Sequence, residues 1–350
     1  MPEQRHPLEV WFDRFATHAR WHLGRTMIPC PIDLRLDEAF STDYGPSGGE
    51  QELRRLIASW EGLPEEAILP TIGGTGANAV AMFALAGPEK TFMVPEPAYY
   101  QWPGLARRLA SPRQAWSPWS PDAPGGKHGP RAWFAVSPDN PTGRGVPFDT
   151  VATWLHPGDV MVVDEIYRGV RNDGLEPVAR RGPQWVGIGA VSKRLGLPGL
   201  RIGWIAATDN GLRESLHDAQ EHLAHSLPGG VVRCLVTHWD KLMAWETRSR
   251  ALAEELVDTL ATRIPRFADS GFAIDLPEAG LSTLIRGKGL TQDVAIAESL
   301  ASQGIFVVPG TCVGHPGTLR LSLGLGRPEE AGEALDKLVE ALVADRPVIS

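Results

Sequence analysis

Apolar residues in the stretch 8–22 (LEVWFDRFATHARWH) recur at helical spacing and predict an N-terminal helix. From about residue 67 the period changes. The short apolar run ILPTIG precedes a small-residue helix, GANAVAMFALAG, and the run TFMVPE follows it. AWFAVS, VMVVDE and QWVGIGAVS are equally short, bounded by Pro and Gly, and separated by helix-like stretches. Short apolar strands alternating with helices predict parallel pairing in a sheet covered on both faces. Beyond Pro228-Gly229-Gly230 runs a helical pattern of more than thirty residues, VVRCLVTHWDKLMAWETRSRALAEELVDTLATRI. As one helix it would span roughly 45–50 Å, enough to link two domains. The remainder alternates again, with FAIDLPE, LSTLIRG, IFVVPG and TLRLSLG as strands and ALDKLVEALVA as a closing helix. The Gly-Pro cluster at 121–130 reads as a surface loop. The pattern predicts an α/β protein with a large, doubly wound, mostly parallel sheet domain at 45–250. A small α+β domain is expected from residues 1–44 and 251–350.

Composition narrows the class. At 350 residues, 43% hydrophobic and 22% charged, the chain reads as a soluble globular protein rather than a disordered one. Its net charge of −8 argues against a nucleic-acid partner, which would want clustered Lys and Arg. No apolar run approaches the roughly 18 residues of a membrane span. The opening MPEQRHPLEVWFDRF lacks the basic start and apolar stretch of a signal peptide. Cys30, Cys234 and Cys312 lie far apart, which suits a reducing cytoplasm and excludes a cysteine-built zinc site. His18 and His22 share a helical face without the acidic neighbour of a zinc motif, so no metal is expected.

Several stretches could carry chemistry. Gly74-Thr75-Gly76-Ala77-Asn78-Ala79 follows a predicted strand and opens a helix, with Glu96 22 residues on. That fits a dinucleotide-binding turn, and equally any strand–helix turn that admits a phosphate to a helix N-terminus. Lys193, one of only six lysines, follows an apolar strand, and Arg201 comes eight residues later beyond a glycine-rich turn. Asp164 ends the apolar strand VMVVD, at the edge where open α/β sheets bind ligands, and Tyr167 follows three residues on. Earlier, AWFAVS leads into Asn140-Pro141-Thr142-Gly143. Trp102, Trp116 and Trp119 could line a large pocket, although core packing is the plainer expectation for most of them.

The ordered set Asn-Pro-Thr-Gly, Asp-x-x-Tyr and Ser-Lys with Arg eight further on resembles the class I/II aminotransferases, pyridoxal-phosphate enzymes of fold type I. The resemblance runs from about Tyr44 to Gly326. It implies pyridoxal 5'-phosphate as cofactor, with Lys193 bonded to its aldehyde and shuttling protons at the substrate Cα. Asp164 would pair with the pyridine nitrogen, and Asn140 and Tyr167 would hydrogen-bond the ring's phenolic oxygen. Tyr99 would stack on the ring. Gly74, Thr75, Ser192 and Arg201 would hold the phosphate. Tyr44 would reach the phosphate of a partner subunit, which implies a homodimer. Arg320 would clamp the substrate carboxylate, with Asn140 beside it.

This chain departs from the family at Ala190, where relatives commonly carry a phosphate-binding serine, so that either one phosphate bond is missing or Ser192 compensates. It offers no second arginine for a dicarboxylate substrate. The opening Pro7-Leu-Glu-Val-Trp11 is similar to capreomycidine synthase-like enzymes, which eliminate at Cβ and cyclise arginine derivatives. The expected activity is therefore amino transfer on an amino-acid substrate. β/γ-Elimination, replacement or cyclisation in specialised metabolism is the alternative, with room for a second small-molecule substrate. An NAD-dependent oxidoreductase would leave Asn140, Asp164, Lys193 and Arg201 unexplained. A non-catalytic regulator would need an added DNA-binding domain, for which the residues before Tyr44 are too few.

Overall fold

Four apolar segments, Thr91–Pro95, Arg131–Val136, Val160–Asp164 and Trp185–Ala190, pair in parallel with their faces covered, as the all-buried Val160–Asp164 shows. Ile68–Ile72, also expected to pair in parallel, pairs only with an antiparallel neighbour among the described residues. The computed structural model describes residues 5–34, 47–120, 122–124 and 129–344. Its main sheet has seven strands, in the order Ile68–Ile72, Ile202–Ala207, Trp185–Ala190, Val160–Asp164, Arg131–Val136, Thr91–Pro95 and Arg113–Trp116. Ile202–Ala207 runs antiparallel to both of its neighbours. The other six strands therefore share one direction and open their C-terminal ends on one edge of the sheet. Two of the seven, Arg113–Trp116 and Ile202–Ala207, were not anticipated from the pattern, since one is short and polar and the other is interrupted by Gly203.

A second sheet joins Ala273–Ile274, Ser282–Arg286, Thr318–Leu323 and Val308–Pro309 in antiparallel order. Gly24–Arg25 adds to it in parallel beside Thr318–Leu323. All strands of the first sheet fall within 45–250, whereas the second draws on residues before 44 and after 251.

Two expected helices are shorter than their patterns. The N-terminal helix runs Pro7–Phe15, with proline in its first turn where no N–H partner is lost. Beyond it, Trp21 and His22 pair with Ile305 and Phe306, so strand pairing ends the helix that periodicity alone would continue. The long pattern after Gly230 is broken at His238 into Gly229–Thr237 and Trp239–Ala261. His238 leaves helical geometry at φ −101°, ψ 9°, and its Nδ1 lies 2.9 Å from the Cys234 carbonyl, competing with the helical ladder. Trp239 and Leu242, in the first half of the second helix, belong to a core beneath the main sheet. Ala253, Leu256, Val257 and Leu260, in its other half, join the core of the second sheet.

Candidate active site

The strand ends determine which side chains meet. Gly73 follows Ile68–Ile72, Tyr99 follows Thr91–Pro95, Asn140 follows Arg131–Val136, and Lys193 follows Trp185–Ala190. Arg201 immediately precedes the one strand that runs the opposite way, so it reaches the same edge from the other chain direction. Against this edge stands the second sheet, which contributes Arg320. Between them lies a cleft of about 800 Å³ lined by Gly74, Thr75, Tyr99, Asn140, Asp164, Tyr167, Ser192, Lys193, Arg201 and Arg320. Tyr44 lies outside the described residues.

Asp164 sits at the floor, 3% exposed. Its Oδ1 accepts the Ile166 N–H at 3.2 Å and its Oδ2 accepts Asn78 Nδ2 at 2.7 Å. Burial raises its pKa to about 6, against the lowering effect of Asn78, the Ile166 N–H and Lys193. Asn140 Nδ2 donates to the Tyr167 hydroxyl at 2.7 Å, which fixes the two side chains as a pair. Lys193 Nζ donates to Thr26 Oγ1 at 2.8 Å and stands 5.6 Å from the centre of the Tyr167 ring. Tyr99 is braced edge-on by Trp102 at 5.8 Å, and burial pushes its phenol upward.

Gly73–Leu85 is a helix whose N-terminus points at the cleft with no side chain capping it. Its first-turn N–H groups and the positive end of its dipole remain available for an anion. Arg201 supplies charge beside that turn, in the left-handed conformation at φ 53°. A Cβ on Gly203 would stand 2.5 Å from the Gly73 carbonyl carbon and 2.7 Å from the Gly74 nitrogen, so only glycine lets strand and turn approach this closely.

Arg320 lies mid-strand in Thr318–Leu323 and is 3% exposed. Its Nη1 donates to Asn140 Oδ1 at 3.4 Å and its Nη2 to the Gly24 carbonyl at 3.2 Å, while its buried Nε has no partner among the described residues. Burial lowers its pKa to about 10. Among the described residues both of its acceptors are neutral, so the guanidinium can still take a carboxylate.

Other residues at or behind the cleft had no role assigned by sequence reasoning. Thr26 arrives on the short N-terminal segment that joins the second sheet, a pairing no local pattern announces. Asn78 left a signal, because it is the one amide on an otherwise apolar helix. The N-terminal helix covers one side with Leu8, Glu9 and Phe12. There the Tyr100 hydroxyl donates to Glu9 Oε1 at 3.2 Å and its ring stacks on His6 at 4.3 Å. Of the three tryptophans, Trp102 and Trp116 are core, while Trp119 lines the cleft.

The residues present fit a phosphorylated pyridine aldehyde. An uncapped helix N-terminus with an arginine suits its phosphate, a buried carboxylate suits a ring N–H, and a lysine amine lines the same cleft. Fold and cleft together define a pyridoxal-phosphate-dependent enzyme of fold type I. The chain belongs to the family described as aminotransferase class I and II, which matches residues 36–338. It is similar to the capreomycidine synthase of Streptomyces vinaceus, 26% identical over 335 residues, covering 87% of this chain and 82% of that protein. It is 29% identical over 283 residues to a probable aminotransferase of Mycobacterium tuberculosis, covering 77% of this chain and 65% of the other. A solved pyridoxal-phosphate-dependent aminotransferase from Streptococcus suis superposes with a TM-score of 0.80 at 20% identity, covering 98% of both chains.

Proposed function

We propose that the chain catalyses amino transfer on an α-amino acid, with the roles set out below. The observation that carries this reading is the convergence of Asp164, Lys193, Arg201 and Arg320 on one cleft at one sheet edge. When bound, pyridoxal phosphate draws electrons away from the substrate's Cα. Asp164, anionic, holds the ring nitrogen's proton in place. The Gly74–Thr75 turn and Arg201, with Ser192 alongside, grip the phosphate, and Tyr99 covers the ring. The Asn140–Tyr167 pair orients the phenolic oxygen. Arg320, its Nη atoms backed by Asn140 and Gly24, seats the substrate carboxylate and so turns Cα toward Lys193 Nζ. Lys193 anchors the cofactor at rest. Released, it removes the proton from Cα and returns it where the reaction requires.

The likeness to capreomycidine synthase over most of both chains favours a second reading, elimination followed by cyclisation. The same residues serve both, because the outcome depends on where Lys193 returns the proton and what leaves Cβ. Absorption spectra of the purified protein, followed by single amino acids in turn, separate them. A visible band that requires Lys193, lost on adding an amino acid with release of a keto acid, supports amino transfer. Release of ammonia together with the keto acid supports elimination, and consumption of the amino acid with neither product supports cyclisation. No band after adding pyridoxal phosphate would sink both.

The reading extends to a cytoplasmic homodimer, with Tyr44 reaching the partner's phosphate. The resemblance supports this, and sedimentation equilibrium at twice 38.0 kDa would bear it out. Among the described residues no helix is long and apolar enough to cross a membrane.

A further inference from the structure

Asn78 sits on the first turns of the helix Gly73–Leu85, 1% exposed, and every polar atom of its amide is committed. Its Oδ1 accepts Trp102 Nε1 at 2.7 Å. Its Nδ2 donates to the Gly74 carbonyl at 3.0 Å and to Asp164 Oδ2 at 2.7 Å. Both N–H groups are used, and the oxygen, which could accept two hydrogen bonds, accepts the one from Trp102.

Only one orientation of the amide satisfies this set. Turned over, Asn78 would point its oxygen at the Gly74 carbonyl and the Asp164 carboxylate, two acceptors facing an acceptor, and would point its NH2 at the indole N–H. Trp102 enforces the choice, since an indole nitrogen can only donate. Trp102 is itself fully buried, packed against Phe134 at 5.6 Å, so it has no freedom to seek another acceptor. The same indole braces Tyr99 edge-on.

We infer that Asn78, its amide held by Trp102, is a positioning residue that fixes the orientation and the anionic form of the Asp164 carboxylate. The inference rests on Asp164 meeting the cofactor's ring nitrogen. A carboxylate buried this deeply is costly unless donors surround it. Beside the Ile166 N–H, Asn78 supplies the only side-chain hydrogen bond Asp164 receives among the described residues. The charged and titratable groups facing Asp164 are Lys193, Tyr99 and Glu165. None of them is hydrogen-bonded to it, so none can set the rotation of its carboxyl group. Because Asn78 also holds the Gly74 carbonyl, it ties the phosphate turn and the ring-nitrogen partner into one rigid unit.

The test uses holoenzyme reconstituted with pyridoxal phosphate carrying 15N in its ring, read by NMR at pH 8, beside a carboxyl titration of Asp164 in 13C-labelled apo-protein. In the wild type the ring nitrogen should be protonated; a neutral nitrogen there would overturn the reading of Asp164 on which the inference stands. Asn78→Leu, close in volume, should move the nitrogen signal toward neutral pyridine and raise the Asp164 midpoint. Its kcat should fall on the order of tenfold or more, with KM within about twofold. Trp102→Phe keeps a ring in the core and loses only the N–H, so it should shift both signals the same way by less. A merely structural role would lower the melting temperature of either variant and leave both signals in place, which would overturn the inference. Should Asn78→Leu fail to fold, Trp102→Phe decides by the same two signals.

Discussion

Three side chains show how burial and partners divide the work of the cleft. Among the described residues Lys193 has a single hydrogen bond, to Thr26, so its amine exchanges one neutral acceptor for another group. In Lys193→Ala the absorbance of a lysine-bonded cofactor should give way to that of the free aldehyde while the protein still binds pyridoxal phosphate; a lysine-bonded absorbance that survives refutes the assignment. Arg320 is buried without an anionic partner, so its desolvation is offset only when a carboxylate arrives. Arg320→Ala should raise KM for an α-amino acid by on the order of tenfold to a hundredfold, and an unchanged KM would move the clamp elsewhere. Asp164 carries a pH signature. Its pKa in the folded apo-protein, about 6, exceeds the unfolded value of 3.8, so the folded state holds the extra proton between the two. Stability linked to this group is therefore full below about pH 4 and lost as pH rises through 6. Asp164→Asn should stabilise apo-protein by about 1–3 kcal/mol at pH 8 and by little at pH 4, read from urea unfolding at both values.

Elements hold these residues in place through contacts that lie behind the cleft. Arg194, next to Lys193, is buried between Glu61 at 2.6 Å and Glu246 at 2.8 Å, and its guanidinium stacks on Trp60 at 3.8 Å. Arg168, just beyond Tyr167, also pairs with Glu61. One carboxylate thus ties the helix Ser47–Glu61 to the turns carrying Lys193 and Tyr167, while Glu246 adds the helix Trp239–Ala261. Burying these charges is tolerable only because each is paired, so Glu61→Ala should cost about 3–5 kcal/mol by denaturant unfolding. A loss under about 1 kcal/mol would show that the two arginines find water instead. Gly203 makes a different demand, since its backbone touches the phosphate turn. Gly203→Ala should push the Gly73–Gly74 peptide away from the strand and weaken pyridoxal-phosphate binding more than it lowers stability, measured by cofactor titration.

At the scale of the molecule, the cleft exists because two sheets face each other across it, and the helix Trp239–Ala261 packs into both of their cores. The N-terminal helix belongs with the second sheet, where Trp11 Nε1 donates to the Val307 carbonyl at 2.9 Å, yet it touches the first through Tyr100. The second sheet and this helix should therefore move together when the cleft opens. Leu256→Ala, in the half of the long helix that serves the second sheet, should cost about 2–5 kcal/mol. Its loss of hydrogen-exchange protection should concentrate in Ser282–Arg286 and Thr318–Leu323. Equal loss in Val160–Asp164 would show that the two cores unfold as one.

The sequence by itself determined the alternation of buried strands and helices, and with it the mostly parallel sheet, because continuous apolar runs have no stable home but a sheet covered on both faces. It also marked Asn140, Asp164, Lys193 and Arg201, since their order and spacing survive in one dimension. Tertiary structure alone decided where the helical patterns stop, at Phe15 and His238, because pairing with Ile305–Phe306 and a side-chain contact to Cys234 outweigh local periodicity. It alone gave Thr26, Asn78 and Trp102 their partners at the site. Each acts through a hydrogen bond to a residue at least 24 positions away, and a hydrogen bond depends on distance and direction in space, which no spacing along the chain records.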